Sequence, residues 1–441
     1  GYLRQGVNLA VDPVFQQKKK VLGEVVGTLE SAWNTHRSVV DSLLGSPLTS
    51  GSIWQIEPSD ELAHCFLFDW LCVPREDETI TTTLRGTLVG VHSPFVEAHL
   101  QRNLATLGEQ YVRYLRKNKK DYVAAIEVCT SIIHAPLKAI PREQRISYRL
   151  RCLSEAKECA EECKSDQLTV LEQQMGLLEA QLQLSKIICE FINSGYSCLD
   201  KRVMVDGRGF VTEREVAQEQ LDLVENHVLS TAELLQIAGM FCAYGGAEVQ
   251  LDVLNAVNVT DPSLYAECIE RCFERKNNTV EEVARRIISR CIRVIASPLC
   301  RVVKILEAHA FQQSPEGSAL TVDLLYECGV DHSVIFSTIA TVFERKDFLS
   351  VPCGAFDQAG VTDAFLVHSL AVALHRAVFA SYISTVQMYF LGNALNTVRE
   401  GISKVALCVS DETSSRALTA AEGMFERCSI ALSRANSRFT F

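Results

Sequence analysis

The sequence has few of the features that assign a function directly. It contains no run of about eighteen uncharged apolar residues and does not open on a basic segment followed by an apolar one, so we expect neither a membrane span nor a secretion signal. Positive charge is scarce, because 43 Lys and Arg residues stand against 54 Asp and Glu residues, for a formal net charge of -11. Nonspecific binding to nucleic acid requires a positive surface, so we expect no direct nucleic-acid partner.

Motifs for catalysis are missing as well. The sequence has no Gly-x-Ser-x-Gly, no Gly-rich loop that ends in Gly-Lys-Ser or Gly-Lys-Thr, and no His-Glu-x-x-His. His92 and His99, like His368 and His375, stand seven positions apart, which is not a metalloprotease spacing. His368 and His375 lie in an apolar segment, where a core histidine with satisfied hydrogen bonds is the commoner role. We therefore predict no catalytic residue and no enzyme.

Cysteine is abundant, but its pattern excludes the usual cysteine chemistry. The 17 cysteines include no Cys-x-x-Cys pair, and an odd number cannot all pair within one chain. This favours a reducing compartment over a secreted disulfide scaffold. Cys152, Cys159 and Cys163 share one helical face, as do Cys268 and Cys272, and helix-interior cysteines usually serve as small buried hydrophobes. We predict no bound metal and no cofactor.

Proline is absent from residues 142–261 and 354–441, and apolar residues there recur at helical spacing. Both stretches are therefore predicted to form long helices. Helix starts are indicated by Ser or Thr three positions before Glu, and by a capping residue before proline. The first pattern occurs at Thr212 with Glu215, Ser230 with Glu233 and Thr279 with Glu282, and the second at Asp12-Pro13, Ser93-Pro94 and Asp261-Pro262.

Two apolar stripes predict a hairpin of long helices. One runs from Ile146 to Cys163, the other runs from Leu171 to Ile192, and a short polar break at residues 164–166 separates them. The segment 203–211 resembles a strand pair around a turn, but an isolated hairpin is marginal, so it is interpreted as a loop. Residues 364–391 are interpreted as a helix buried on most sides.

Repeated helical hairpins without strands favour an all-α fold, an irregular α-solenoid of stacked antiparallel helix pairs. Separate helical bundles are the alternative architecture. Basic clusters occur at residues 18–20, at residues 116–120 and on the helix that carries Arg285, Arg286, Arg290 and Arg293. A solvated helix face is the favoured interpretation, and an acidic partner, nucleic acid or membrane headgroups are the alternative.

Several segments, in order, resemble one known family. The motifs are Asp60–Leu71 (DELAHCFLFDWL), Ser93–Leu100 (SPFVEAHL), Tyr111–Asn118 with Tyr122–Ala125, Gln144–Tyr148 (QRISY), Leu171–Met175 with Ala180–Gln183, Ala232–Ala238 (AELLQIA), Glu327–Val330, and Val342–Phe348 (VFERKDF). In this order they resemble the C-terminal region of the large non-repetitive nucleoporins of the nuclear pore inner ring. These are packing motifs, so the resemblance lies in their succession.

The resemblance implies a structural scaffold of the nuclear pore complex at the nuclear envelope, which supports pore assembly and nucleocytoplasmic transport of protein and mRNA. It implies a β-propeller in a preceding part of the protein. The implied partners are other nucleoporins, namely flexible linker nucleoporins and a small membrane-associated nucleoporin, with possible peripheral contact with the membrane. No partner-binding residue can be assigned from the sequence. An α-solenoid of a vesicle coat or tethering complex is the alternative.

The expected domain organisation is one elongated solenoid over residues 1–441. Residues 1–59 form a weakly matched N-terminal helical part, residues 60–350 form the family-like solenoid, and residues 351–441 form divergent C-terminal helices. The family pattern places Trp70 in the core.

Overall fold

The structure is a computed structural model, and it describes residues 61–73, 78–90, 93–194, 202–205, 209–259, 261–274, 279–291, 297–344, 353–380 and 385–439, with Gln17 and Lys20. The predictions for Asp12-Pro13, for the remainder of the basic cluster at residues 18–20, for His92 and for Arg293 lie outside these residues. The described residues fall into two compact units.

The first unit comprises the described residues of Gly1–Ser185 and Cys198–Leu229. Its elements are α1 Glu61–Cys72, α2 Glu78–Val89, α3 Val96–Arg102, α4 Leu104–Tyr114, α5 Tyr122–His134, α6 Arg145–Cys163, most of α7 Leu168–Asn193, β1 Arg202–Val205, β2 Gly209–Thr212 and α8 Glu213–Asn226. A π-helical turn, Leu115–Lys119, extends α4, and a short 3-10 turn, Arg142–Gln144, precedes α6.

The second unit comprises the described residues of Lys186–Ser197, at the end of α7, and of Ser230–Phe441. It contains only helices among its described residues. They are α9 Thr231–Met240, α10 Gly246–Ala256, α11 Pro262–Phe273, α12 Val280–Cys291, α13 Ser297–Gln313, α14 Leu320–Glu327, α15 His332–Phe343, α16 Gly354–Ala359, α17 Asp363–Phe379, α18 Thr385–Ala406 and α19 Glu412–Phe439.

The helix starts follow the capping chemistry of the sequence, with one exception. Thr212 and Ser230 each form a reciprocal capping box, with Glu215 and Glu233, and so satisfy amides of the first turn that lack helical partners. The same bonds join Thr279 and Glu282, and Asp261 caps α11 before its first residue, Pro262. These predictions are confirmed.

The prediction at Ser93-Pro94 is wrong by two residues. The helix α3 begins at Val96, because the Ser93 hydroxyl accepts a hydrogen bond from the Phe95 amide and holds the preceding residues in a turn. The Ser93 side chain is therefore used by the turn and does not cap a helix that starts at Pro94.

The interpretation of residues 203–211 as a loop between helices with a little extended structure understates the strand pairing that forms there. β1 and β2 pair antiparallel, with Val203 opposite Val211 and Met204 opposite Phe210. β2 runs directly into α8 and contacts it, so the hairpin is anchored by a helix and is not isolated.

The first unit is closed where α4, α5 and α6 pack together. Gly108 of α4 permits the close approach, since a Cβ there would lie 2.3 Å from the Ile132 Cδ1 atom, and its amide donates a 2.7 Å hydrogen bond to the Tyr148 hydroxyl. Cys129 of α5 and Leu153 of α6 are fully buried. We call the contact between α5 and α6 the closed seam.

Trp70 is 4% exposed in α1, which confirms its predicted core position. The predicted hairpin of long helices corresponds to α6 and α7, and the Lys157 ammonium lies 2.9 Å from the Glu172 carboxylate across the turn between them. The predicted segment 364–391 is not one helix, because α17 ends at Phe379 and α18 begins at Thr385. α17 is buried over most of its surface, as predicted.

The all-α fold class is confirmed, with nineteen α-helices and one two-stranded hairpin among the described residues. Within each unit, helices pack mainly on helices nearby in the chain, which is the organisation of an irregular α-solenoid. The single solenoid over residues 1–441, with its parts 1–59, 60–350 and 351–441, stays a prediction.

Candidate functional site

Two of the four cations in the basic cluster at residues 116–120, Arg116 and Lys119, pair with carboxylates of the protein itself. Arg116 pairs with three glutamates of α6, namely Glu155, Glu158 and Glu162, and its hydrogen bonds to Glu162 and Glu158 raise its pKa. The Lys119 ammonium lies 2.9 Å from Glu97 of α3. This cluster therefore joins helices, as the favoured interpretation of a charged helix face implies.

The basic face of α12 is used in the same way. Arg285 pairs with Glu327 of α14, Arg286 pairs with Glu248 of α10, and Arg290 contacts both Glu248 and Asp252. Its other face carries the buried residues Val283, Ala284, Ile287, Ile288 and Cys291. The helix is thus an ordinary amphipathic helix whose cations bridge neighbouring helices.

The cysteines behave as apolar residues. All those that the structure describes are free, and nine are buried, including Cys152, Cys159, Cys268 and Cys272, whereas Cys163 is exposed. Burial raises the pKa of Cys129 to about 12, so that thiol is protonated and unreactive at neutral pH. Across the described ranges no three His, Cys, Asp or Glu side chains form a group that could hold a metal ion.

The histidines depart from the prediction in one respect. His368 is buried in α17, but its Nδ1 atom has no hydrogen-bond partner among the described residues, so it is not a fully satisfied core histidine. Its ring packs against Gly317, where a Cβ would come within 2.7 Å of it. The His375 ring, two helical turns further along α17, lies 4.6 Å from the Phe379 ring at a tilt of 38°. Burial lowers the pKa of both imidazoles.

The most distinctive open surface of the first unit lies between α5 and α7. On α7, the residues that line it recur every three or four positions from Gln167 to Gln181, so one face of the helix follows it for about 21 Å. On α5, the opposite wall runs from Glu127 to His134. We call this feature the α5–α7 groove.

The wider end of the groove is a cavity of about 370 Å³. It is lined by Glu127 and Thr130 of α5, by Gln167 just before α7, and by Val170, Leu171 and Gln174 of α7. Val170 is 52% exposed, and Val123, one turn before Glu127 on α5, is 63% exposed. The wider end therefore offers apolar contacts with polar groups at its edges.

The narrower end is a cavity of about 40 Å³ that shares Gln174 with the wider end. Ile133 and His134 of α5, Leu177 and Leu178 of α7, and Leu229 after α8 are among its lining residues. The two cavities therefore adjoin, but Ile133, Leu178 and Leu229 are at most 4% exposed, so the open apolar surface lies at the wider end.

Gln181 fixes the wall of the narrow end. Its Nε2 atom donates to the carbonyl oxygens of Val224 and His227, at 2.5 and 2.6 Å, and its Oε1 atom accepts from the Leu229 amide at 3.2 Å. These bonds satisfy carbonyls at the end of α8 that have no helical partner. The segment that carries Leu229 is therefore held against α7 by one buried amide.

A buried arginine of α6 binds the carboxyl ends of both α5 and α8. Arg149 of α6 is 2% exposed, and its Nη2 atom donates to the carbonyl oxygens of Ala135 and Asn226. Burial, with the neighbouring Arg145 cation, lowers its pKa. The carboxyl ends of two helices carry partial negative charge, which offsets part of the cost of burying this cation, whose Nε and Nη1 atoms have no hydrogen-bond partner among the described residues.

A second buried group completes this support. The Glu225 carboxylate accepts from the Ser185 hydroxyl at 3.1 Å and from Arg142. α7, α8 and the 3-10 turn before α6 are thereby joined by paired polar groups in the low-dielectric interior, where such bonds are strong when satisfied. The groove has a rigid base, which suits a surface that must present a fixed shape.

Sequence reasoning assigned no partner-binding residue and so missed the groove. The apolar stripe on α7 predicted a helical partner along its whole length, and Leu171 and Leu178 are each only 2% exposed beside the two cavities, so the uncovered apolar side chain is Val170. The available signals were Val123 and Val170, apolar residues on otherwise polar faces.

Comparison with known proteins identifies the family. The model of the non-repetitive/WGA-negative nucleoporin C-terminal family matches residues 56–387. Two solved structures of the Chaetomium thermophilum Nup170 C-terminal domain are similar. A quadruple methionine mutant has a TM-score of 0.52 at 16% identity, over 87% of this chain and 72% of that chain. The other structure has a TM-score of 0.48 at 14% identity, over 97% and 83%.

A search of the curated proteins finds no significant match. The mutant Nup170 domain shares the helical fold, and the family match covers about three quarters of the chain, from residue 56 to residue 387 of 441. None of the helices that the structure describes is both long and apolar enough to cross a membrane. The chain belongs to the non-repetitive nucleoporin C-terminal family, and it is a non-enzymatic scaffold protein of the nuclear pore complex in the nuclear envelope.

Proposed function

We propose that this chain is an inner-ring scaffold that binds short segments of flexible linker nucleoporins in the α5–α7 groove, and that this binding supports pore assembly and nucleocytoplasmic transport. The observation that carries the proposal is the groove itself, an open, mostly apolar surface between two helices of a closed helical unit. Contiguous exposed apolar surface on a folded unit marks an interaction site.

The dimensions of the groove suit an extended peptide. A length of about 21 Å accommodates about six residues at 3.3 Å per residue. The amides of Gln167 and Gln174 line it, where they can bond to the peptide backbone, and the half-exposed Val170 offers contact to an apolar side chain. A flexible segment loses entropy when it binds, so the rigid base under the groove favours affinity.

The test is calorimetric titration of the whole chain with short overlapping peptides that cover the flexible linker nucleoporins. At least one peptide should bind, and Val170→Glu should weaken that binding by roughly tenfold or more, because it places a charge in the apolar cavity. Val334→Glu is the matched control, since Val334 is an exposed valine of α15 outside the groove, and it should leave the affinity unchanged.

Failure of every peptide to bind, or equal weakening by both variants, would contradict binding in the groove. We further propose contact with a small membrane-associated nucleoporin and peripheral contact with the membrane, which the family membership supports. Co-purification of the chain with that nucleoporin, and its sedimentation with anionic lipid vesicles, test these two contacts separately.

A further inference from the structure

Glu127 is the single charged residue among the six that line the wider cavity of the groove. It is exposed, and it forms no ion pair with another of the described residues. The carboxylates of α6 differ, because Glu155, Glu158 and Glu162 pair with arginines of the neighbouring helix segments. The protein therefore neutralises the acidic face of α6 but leaves the carboxylate at the groove unmatched.

The apolar surroundings of Glu127 affect how strongly its unpaired carboxylate can bind a cation. Val123 precedes it by one helical turn on the same face of α5, and Val170 stands on the opposite wall. These are two of the four large apolar side chains that are exposed in the described part of the first unit. A segment that covers both valines also removes water from around Glu127, which strengthens any charge pair formed there.

We propose that the segment bound in the α5–α7 groove carries a lysine or arginine that pairs with Glu127. This inference rests on the proposed function and adds the chemistry and direction of the occupant. Neighbouring positions on one helix face are about 5–6 Å apart, and an extended chain advances about 3.3 Å per residue. The basic residue therefore lies about two positions from the apolar side chain that covers Val123 or Val170.

The position of the charge also sets the direction of the segment. Glu127 lies at the wide end, and the narrow end has only uncharged and imidazole-bearing residues, among them His134, Gln174 and Gln181. A segment with its basic residue at one end pairs with Glu127 in only one of its two orientations. One carboxylate thus selects both the sequence and the polarity of the partner.

The experiment is a charge-reversal cycle on the whole chain, measured by calorimetry with the tightest-binding linker peptide. Glu127→Lys should weaken binding by roughly tenfold, and replacing the basic residue of the peptide by glutamate should weaken binding to the parent chain similarly. Combining both changes should restore most of the affinity. Glu143→Lys, at an exposed glutamate outside both cavities, is the matched control and should have no effect.

The outcomes separate this inference from the function on which it rests. If Val170→Glu weakens binding but Glu127→Lys does not, or the double reversal restores nothing, the charge pairing is wrong and the groove remains the binding site. A tightest-binding peptide with no basic residue would likewise overturn the pairing alone. If no peptide binds the parent chain, the proposed function fails and the inference fails with it.

Discussion

The two sides of α5 have opposite characters. On the side toward α6, Ala125, Ile126, Cys129 and Ile132 are all nearly or fully buried. On the side toward α7, Glu127 and Thr130 line an open cavity and Val123 is exposed. One thirteen-residue helix thus contributes both to the closed seam and to the α5–α7 groove.

The difference indicates that the buried contacts of α5 and the open groove beside it have different roles. In the closed seam the small residues Cys129 and Cys152 are fully buried, and Gly108 of the adjoining α4 allows that helix to approach closely. In the groove, apolar surface is left uncovered although the chain could have covered it with larger side chains. We therefore expect substitutions in closed contacts to change stability, and substitutions in the groove to change binding.

The largest loss of stability is expected at a closed contact of α1. Trp70→Ala should lower the free energy of unfolding by about 3 to 5 kcal/mol, because a buried indole leaves a cavity when it is removed. Denaturant titration measures the loss. Tyr389→Ala, which removes an aromatic ring that is 78% exposed, is the control and should change stability by about 0.5 kcal/mol or less.

Stability is expected to depend on pH where a buried carboxyl group has no compensating charge. Glu307 of α13 is fully buried, it accepts one 2.9 Å hydrogen bond from the Ser369 hydroxyl, and its Oε1 atom has no partner among the described residues. Burial raises its pKa from 4.5 to about 7, with the Ser369 and Thr321 hydroxyls acting in the opposite direction.

The direction of this pH dependence follows from which state, folded or unfolded, binds the proton of Glu307 more tightly. The folded carboxyl keeps its proton to higher pH than the unfolded one, so its stabilising effect is complete below about pH 4.5 and is lost as the pH rises through about 7. The second unit should therefore lose about 3 kcal/mol between pH 4.5 and pH 8 through this group. Glu307→Gln should remove that loss, and identical pH profiles for variant and parent would contradict it.

A smaller loss is expected where α4 meets the seam. Gly108→Ala places a Cβ against the buried side chain of Ile132, so it should cost about 1 to 3 kcal/mol in unfolding free energy. Gly392→Ala is a matched control on α18, because a Cβ there meets nothing within 4 Å. Thermal unfolding of the two variants should separate them, and equal melting temperatures would show that the seam can expand.

The smallest effect on stability is expected in the groove. Val170→Glu should change the unfolding free energy by about 0.5 kcal/mol or less, since half of the side chain is already in water. Binding of linker peptides should fall at the same time. A large loss of stability would show that Val170 belongs to the core and would remove the contrast between the two sides of α5.

Local chemistry made much of the fold predictable from the sequence. Capping residues such as Ser230 with Glu233 form within one turn, so short spacing suffices to find them. The pairing of Arg116 with Glu155 joins residues far apart in the chain, and the sequence can only favour a neutralised cluster without naming the partners. The order of the family motifs indicated the family, which local patterns could not do.

The α5–α7 groove and the protonation state of Glu307 could not be predicted from the sequence, for a different reason. Periodicity shows that Leu171 and Leu178 face a partner, but not how closely that partner approaches. The state of Glu307 depends on which helices enclose it, and no spacing in the sequence encodes that enclosure. Both features are products of packing between elements.

The most direct test of the account is hydrogen–deuterium exchange of the whole chain with and without its tightest-binding linker peptide. The account predicts added protection in the α7 segment 167–181 and the α5 segment 127–134, with no change in the α12 and α14 helices of the second unit. Protection confined to other helices would contradict the assignment of the α5–α7 groove as the surface through which this scaffold holds its partners.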